Sequence, residues 1–301
     1  MAAFLLPCQI LFSVLIILSY IKINCLKKPF LILLPFFFSL ANGQTVRRPV
    51  AALYTGLGAY SLTHADVFSF TNNQATLAQI KNASAGVYGE RRFLLEELSL
   101  YQLAVAVPTG SGNFGLKAGY YGFSDYNETQ TGLAYARKLG QKVDVGVQFN
   151  YNGIRISSYG SASAVNFEIG TVLHLTDRLH AGVHAYNPIG GKFGKNADEK
   201  LASVYSFGFG YEASEKFFVS AEIEKEENQP VNVNAGLQYK FLPQLMARGG
   251  IATHTSMLYA GVGLYLKNFR LDVTASHHPQ LGVTPGLLLL YDLPLAPKGE
   301  K

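Results

Sequence analysis

Three groupings in this sequence hold residue types that could do chemistry. His180 and His184 fall on alternate positions with Arg178. On a β-strand such residues share a face, so together they could gather round a metal or an anion. Glu222 and Glu224 share a face in the same way, a spacing that suits acid/base work. Gly110, Gly112 and Gly115 fit the G-x-G-x-x-G dinucleotide pattern. Each grouping lacks a part that its chemistry needs. The histidines have neither a cysteine nor clustered carboxylates beside them, the two glutamates fit plain alternation on a wet face, and the glycines lead into another strand-like run at 116–123 rather than a helix that could hold a pyrophosphate. No Ser-His-Asp grouping stands out, and the pair His277-His278 precedes a turn. The sequence therefore predicts no enzyme, metal or cofactor, and places these histidines in hydrogen-bond networks in the interior and at its rim.

The elements that carry these residues are strands. Val143, Val145, Val147, Phe149 and Tyr151 interleave with Asp144, Gly146, Gln148 and Asn150, giving one apolar and one polar face. The pattern returns at Leu179, Ala181 and Val183 against Arg178, His180 and His184. It returns again at Val233, Ala235 and Leu237 against Asn232, Asn234 and Gln238, and at Leu271 and Val273 against Arg270 and Asp272. Turn signals come about every ten residues.

A soluble sandwich or a lipocalin-like barrel would also alternate, so the loops must decide. About fourteen strands are predicted from Ser84 onward. Tight turns at 139–141, 176–177, 213–215 and 242–244 alternate with longer connections at 124–129, 157–161, 187–200 and 226–229. Short turns on one rim and longer loops on the other point to an all-β fold, a transmembrane antiparallel β-barrel at residues 84–293. Leu179, Val183, Val233, Leu237 and Val273 should then face lipid. Asp144, Gln148, Glu168, Arg178, His180, His184, Glu222, Arg270 and Asp272 should line the lumen.

The first 43 residues read as leader. Residues 26–43 contain Lys27 and Lys28, an apolar core at 30–40 and a small-x-small site at Ala41-Asn42-Gly43, the anatomy of a signal peptide ending before Gln44. A second apolar run at 4–21 precedes it. Either Met1 is the start and the chain has an extra hydrophobic leader or anchor, or residues 1–25 are an upstream extension and Leu26 marks an alternative start codon. Both cysteines, Cys8 and Cys25, lie in this region, so the mature chain has none. Removing the leader takes three lysines and no acid with it, and the formal charge of +5 falls to +2. That charge gives no reason to invoke nucleic acid.

Residues 44–83 do not share the strand rhythm, apart from one helical turn at 75–80. A disordered leader or a luminal plug would both fit. Leu53, Tyr54, Phe68, Phe70 and Leu77 are apolar enough to favour the plug.

Five stretches resemble the FadL-like outer-membrane barrels, and among them the PorV and PorQ branch found in Bacteroidetes. "GLGAYSLTHADVFSFTNNQATLAQ" is similar to the family's opening, with its N-P-A-x-L-A box at Asn73 to Ala78 and Gln74 in place of the proline. "ETQTGLAYARKL", "AGVHAYNPIGG", "GLQYKFLPQLMARGGI" and "AGVGLYLKNFRLDVTASHHPQLG" follow in the family's order. The chain departs from the usual aromatic terminus by running on through a tail at 294–301, which puts any insertion signal at "LLLLYDL". The resemblance implies a fourteen-stranded barrel in the outer membrane of a Gram-negative bacterium, with a hatch that includes Phe68, Phe70, Asn73, Ala75 and Leu77. It also implies one of two roles: transport of hydrophobic small molecules, or a non-enzymatic part in type IX-like protein secretion or envelope assembly. The expected partners are outer-membrane lipid, a hydrophobic ligand and secretion-system proteins.

Overall fold

The computed structural model of the protein describes residues 57–193, 199–254 and 256–293. The leader with its cleavage site, the opening of the plug with Leu53 and Tyr54, and the C-terminal tail lie outside the described residues.

Fourteen strands close into one antiparallel barrel. In chain order they are β1 (Ser84–Arg91), β2 (Ser99–Thr109), β3 (Gly112–Gly122), β4 (Tyr126–Leu139), β5 (Val143–Ile156), β6 (Gly160–His174) and β7 (Leu179–Tyr186). After a small hairpin, β8 (Lys192–Phe193) with β9 (Glu199–Lys200), the wall resumes. It continues through β10 (Val204–Glu212), β11 (Phe217–Glu226), β12 (Asn232–Lys240), β13 (Leu245–Ala252), β14 (Met257–Leu266), β15 (Phe269–His278) and β16 (Gly282–Asp292). Each wall strand pairs with the next, and β1 closes on β16 from Ser84↔Asp292 to Glu90↔Gly286. An even strand number leaves Ser84 and Asp292 on the same rim, the one that carries the short turns.

The period-2 pattern dictates which way each side chain points. On β10, Val204, Ser206, Gly208, Gly210 and Glu212 turn inward and are buried, while Tyr205, Phe207, Phe209 and Tyr211 are exposed on the outer face. Val183, Val233, Leu237 and Val273 are exposed in the same way. An apolar outer face of this kind is stable only against lipid. Aromatic side chains gather at the short-turn rim, where Phe217 meets Tyr239 at 6.2 Å, Tyr239 meets Phe241 at 4.8 Å and Phe269 meets Tyr291 at 4.6 Å. Such a belt marks a membrane interface.

Two expectations from the sequence need correction. The connections at 123–125 and 157–159 are as short as the turns of the opposite rim, because β4, β5 and β6 continue through polar residues such as Asn127, Thr129 and Ser161. Polar side chains had marked these stretches as loops, yet a strand that rises past the membrane keeps its backbone pairing and needs no apolar face. Length is concentrated instead at 92–98 and 187–203. Arg178 is exposed in the turn before β7 and is not among the inward groups, since the strand starts one residue later, at Leu179.

Candidate functional site

Eight strands can be filled by their own side chains, whereas fourteen enclose a space that something else must occupy. Residues 57–83 occupy it. Their backbone turns through two 3-10 segments, Ser69–Thr71 and Gln74–Gln79. The second begins at Asn73, whose extended backbone and side-chain oxygen, 3.1 Å from the Ala75 N–H, cap it. The first is prepared by Asp66, which accepts from the Phe68 N–H at 2.9 Å.

Inward-facing glycines make room for this segment on strand after strand. A Cβ on Gly86 of β1 would strike the Phe68 ring, one on Gly115 of β3 would press on Leu77 and Phe70, and one on Gly146 of β5 would lie 2.6 Å from the Ala75 nitrogen. Gly170 of β6 faces Asn73, Gly182 of β7 and Gly208 of β10 face the Tyr60 ring, and Gly236 of β12 faces Leu57. Phe68, Phe70 and Leu77 are fully buried in one apolar cluster with Tyr88, Leu100, Ala104, Ala134 and Leu288 of the wall. Asn73 and Ala75 are also fully buried. All five residues named as hatch from the sequence are therefore packed between plug and wall, and none is open to a ligand as the plug sits.

Polar contacts hold the segment at several stations. Glu168 of β6 accepts from Gln74 at 2.6 Å, and from Gln148 and Asn150 of β5, with His184 of β7 at 2.9 Å. Glu222 of β11 accepts from the Tyr60 hydroxyl at 2.5 Å and from Asn234 of β12 at 3.2 Å. Glu212 of β10 accepts from Ser61 at 2.6 Å and from the Leu62 N–H at 2.7 Å. Asp66 pairs with Arg270 of β15 at 2.6 Å, while Arg248 of β13 and Arg270 share Asp272 at 3.2 and 3.1 Å. Asn113 of β3 donates to the carbonyls of Leu77 and Ile80 at 2.7 and 2.8 Å. Buried carboxylates paired in this way are costly to strip of their partners.

Asp144, Gln148, Glu168, His180, His184, Glu222, Arg270 and Asp272 all lie buried inside the barrel, at most 3% exposed. Tyr60, Asp66, His174, Glu212 and Arg248 complete the seat and were not singled out from the sequence. His174 and Glu212 are the last residues of their strands, next to turns, and Arg248 stands beside Gly249 and Gly250, where the alternation fades.

Two plug groups have shifted acidities. Burial lowers the His64 pKa to about 4, with Lys240 and Arg248 adding to the effect against Glu212, so this imidazole is neutral near pH 7. Its ring stacks on Phe218 at 5.2 Å. Burial alone would raise the Asp66 carboxyl, but the nearby Arg270 and Arg248 charges, with hydrogen bonds from Arg270 and the Phe68 N–H, bring it below its ordinary value.

The plug separates two spaces. Toward the long-loop rim, a cavity of about 40 Å³ is lined by Leu100, Gln102, Tyr121, Gln130, Asn152 and Tyr186, with Phe193 of the inserted hairpin beside them. At the short-turn mouth, a polar basin of about 370 Å³ is lined by His64, Lys81, Lys240, Tyr265, Arg270 and Asp292. No group of three or more potential metal ligands is present among the described residues.

A fourteen-stranded transmembrane barrel with its N-terminal segment folded into the lumen is the class that this geometry defines. No family model matches the chain, and no curated protein matches it in sequence. Solved structures do match in fold. The toluene transporter TodX of Pseudomonas putida aligns with a TM-score of 0.57 at 10% identity, over 82% of this chain and 97% of that one. The toluene transporter TbuX of Ralstonia pickettii gives 0.53 at 11% identity, over 75% and 92%. A FadL homologue of Pseudomonas aeruginosa gives 0.51 at 12% identity, over 79% and 96%. These likenesses are of the FadL and TodX type of barrel.

Proposed function

We propose that the protein is a non-enzymatic channel of the Gram-negative outer membrane that moves small hydrophobic molecules, with residues 44–83 as a hatch across the lumen. The observation that carries this reading is the seating of the plug. The plug packs Phe68, Phe70 and Leu77 into an apolar cluster with β1, β2, β4 and β16, whereas toward β6, β10 and β15 it is held by hydrogen bonds and ion pairs at separate stations. A hatch that releases its polar side while its apolar side stays seated has a route past this seam. The neighbours in fold include toluene transporters, which supports an apolar cargo. The cavity under Phe193, about 40 Å³ with the plug seated, is too small for such a cargo, so passage requires the plug to move.

The test is uptake. A deletion strain and its complement should differ in accumulation of labelled aromatic hydrocarbons or fatty acids, and deletion of residues 44–83 should raise the single-channel conductance of the purified barrel. A folded deletion variant with unchanged conductance, together with unchanged uptake in the null strain, would remove the transport reading.

A second reading has its own support. Leu94, Leu95, Tyr159 and Ile189 are 64%, 51%, 89% and 75% exposed at tips of the long-loop rim. Apolar tips in water suit a protein partner, as a PorV- or PorQ-like role in type IX-like secretion or envelope assembly would require. Stoichiometric co-purification of secretion proteins, with uptake unaffected by deletion, would decide for it.

A further inference from the structure

At the short-turn end of the lumen, four inward side chains from adjacent strands form a line. Asp144 Oδ2 of β5 lies 2.9 Å from His174 Nε2 of β6, and His174 Nδ1 lies 3.0 Å from His180 Nδ1 of β7. His180 Nε2 faces Glu212 Oε1 of β10 at 3.6 Å. None of the four side chains is more than 8% exposed. Both ends of the line grip the plug. Asp144 accepts from the Gln79 amide, and the same Glu212 Oε1 accepts from Ser61 Oγ, the Leu62 N–H and the Thr63 N–H. Lys138 of β4 donates to Gln79 at 3.0 Å.

Counting protons shows what this line can do. A contact between two ring nitrogens needs one proton between them and no more, while each carboxylate favours an N–H toward it. Three protons on the four ring nitrogens satisfy all three contacts, with one positive charge shared by the two imidazoles. With two protons, one ring turns a lone pair outward, toward Glu212 or, at His174 Nε2, toward Asp144 and the Gln79 amide 3.2 Å away. With four, two N–H groups and two positive charges meet across the 3.0 Å gap.

We propose that this line is a shared-proton latch: plug and wall are held together while one proton lies between the two histidine rings, and acid opens the seam by putting a second there. The fourth proton drives the rings apart. His180 then moves onto Glu212 Oε1, and the Ser61 hydroxyl and the Leu62 and Thr63 amides lose the acceptor they share, leaving the Thr63 hydroxyl on Oε2. The other titratable groups facing the line are Lys138, the Glu168–His184 pair on the same two central strands, and His64 from the plug, whose ring nitrogen lies 2.8 Å from the Thr63 hydroxyl. The consequence for transport rests on the hatch reading above, whereas the latch itself is a property of the seam.

The test uses the whole mature protein in lipid nanodiscs. With ¹⁵N-labelled histidine, a scalar coupling between the two Nδ1 atoms should be present near neutral pH and vanish on acidification. Over the same range the protection factors of the Leu62 and Thr63 amides should fall at least tenfold, while that of Phe68, tied to Asp66, should hold. A His64→Gln background removes that ring's own titration, and His174→Gln added to it should abolish the acid response. Lack of the coupling in the unmodified protein at every pH, or an equal acid response in the His174→Gln variant, would overturn the latch. The coupling needs no variant, so a His174→Gln chain that fails to fold leaves it decisive. If the seam opens with acid but conductance and uptake do not change, the hatch reading fails and the latch stands.

Discussion

Replacing Gly146 with alanine should lift the plug from β5. The new methyl would lie 2.6 Å from both the Ala75 nitrogen and the Gln74 oxygen, and closer still to the Gln74 carbonyl carbon. These are backbone atoms, which cannot swing aside as a side-chain end does. Ordinary carbon contacts are at about 3.5–4.0 Å, so relief requires a shift of roughly 1 Å. Overpacking of this kind costs about 1–3 kcal/mol. Gln74 also donates to buried Glu168 at 2.6 Å, and loss of that bond to a charged group would add about 1.5–3 kcal/mol. At 1.36 kcal/mol per tenfold change, even the lowest figure predicts about fivefold faster hydrogen exchange at the Ala75 and Thr76 amides. Gly110→Ala is the control, because a Cβ there meets nothing within 4 Å. Exchange read by mass spectrometry on plug and strand peptides separates a loosened plug from a damaged barrel. Plug protection within twofold of the unmodified protein, in a Gly146→Ala barrel that folds, would mean that the plug does not rest on β5.

Other perturbations test other faces of the molecule. Val273→Arg puts a charge on the lipid side of β15 and should lower stability by about 2–4 kcal/mol, whereas Ser276→Arg, on the inner face of the same strand, should cost much less; equal losses in folding titrations from lipid vesicles would refute the facing of the strand. Asp66→Ala removes one of the buried carboxylates that Arg248 and Arg270 pair with and should cost about 3–5 kcal/mol in the same titrations. Because the Asp66 carboxyl titrates below its ordinary 3.8, its contribution is complete above that pH and is lost only as the pH falls through the lowered value, so Phe68 amide protection should be level from pH 7 to 4. His64 behaves differently: the unfolded chain takes up its proton near 6.5 and the folded one near 4, so stability should decline as the pH falls between these values, and His64→Gln should flatten that slope in plug exchange. Mass spectrometry of the native N-terminus should find Gln44, and a peptide from residues 30–40 in mature material would contradict the leader reading.

What could be read from the sequence, and what could not, divides along one physical line. Alternation is a property of a single strand, so Val143 to Tyr151 reveals its lipid face and its wet face with no knowledge of neighbours. Strand number follows nearly as directly, because most wall strands pair with the next across short turns. The plug seat is different in kind, since it is made between segments far apart in the chain. Gly146 and Gly170 look like ordinary strand glycines until Gln74 and Asn73 lie against them, and no local pattern marks that approach. The same holds for charge. Glu168 is legible as an inward acid, but its shell of Gln74, Gln148, Asn150 and His184 comes from three other segments, and the meeting of His174 with His180 depends on a β6–β7 register that places them opposite each other. Arg178 shows the cost of carrying a pattern past the strand that generates it: it keeps the alternation in sequence, but the turn there releases its side chain to solvent. Polarity misleads in the opposite direction on β4 to β6, where Asn127, Thr129 and Ser161 are paired strand residues. A polar side chain on the outer face of a barrel strand reports its distance from the bilayer. It does not report the end of the strand.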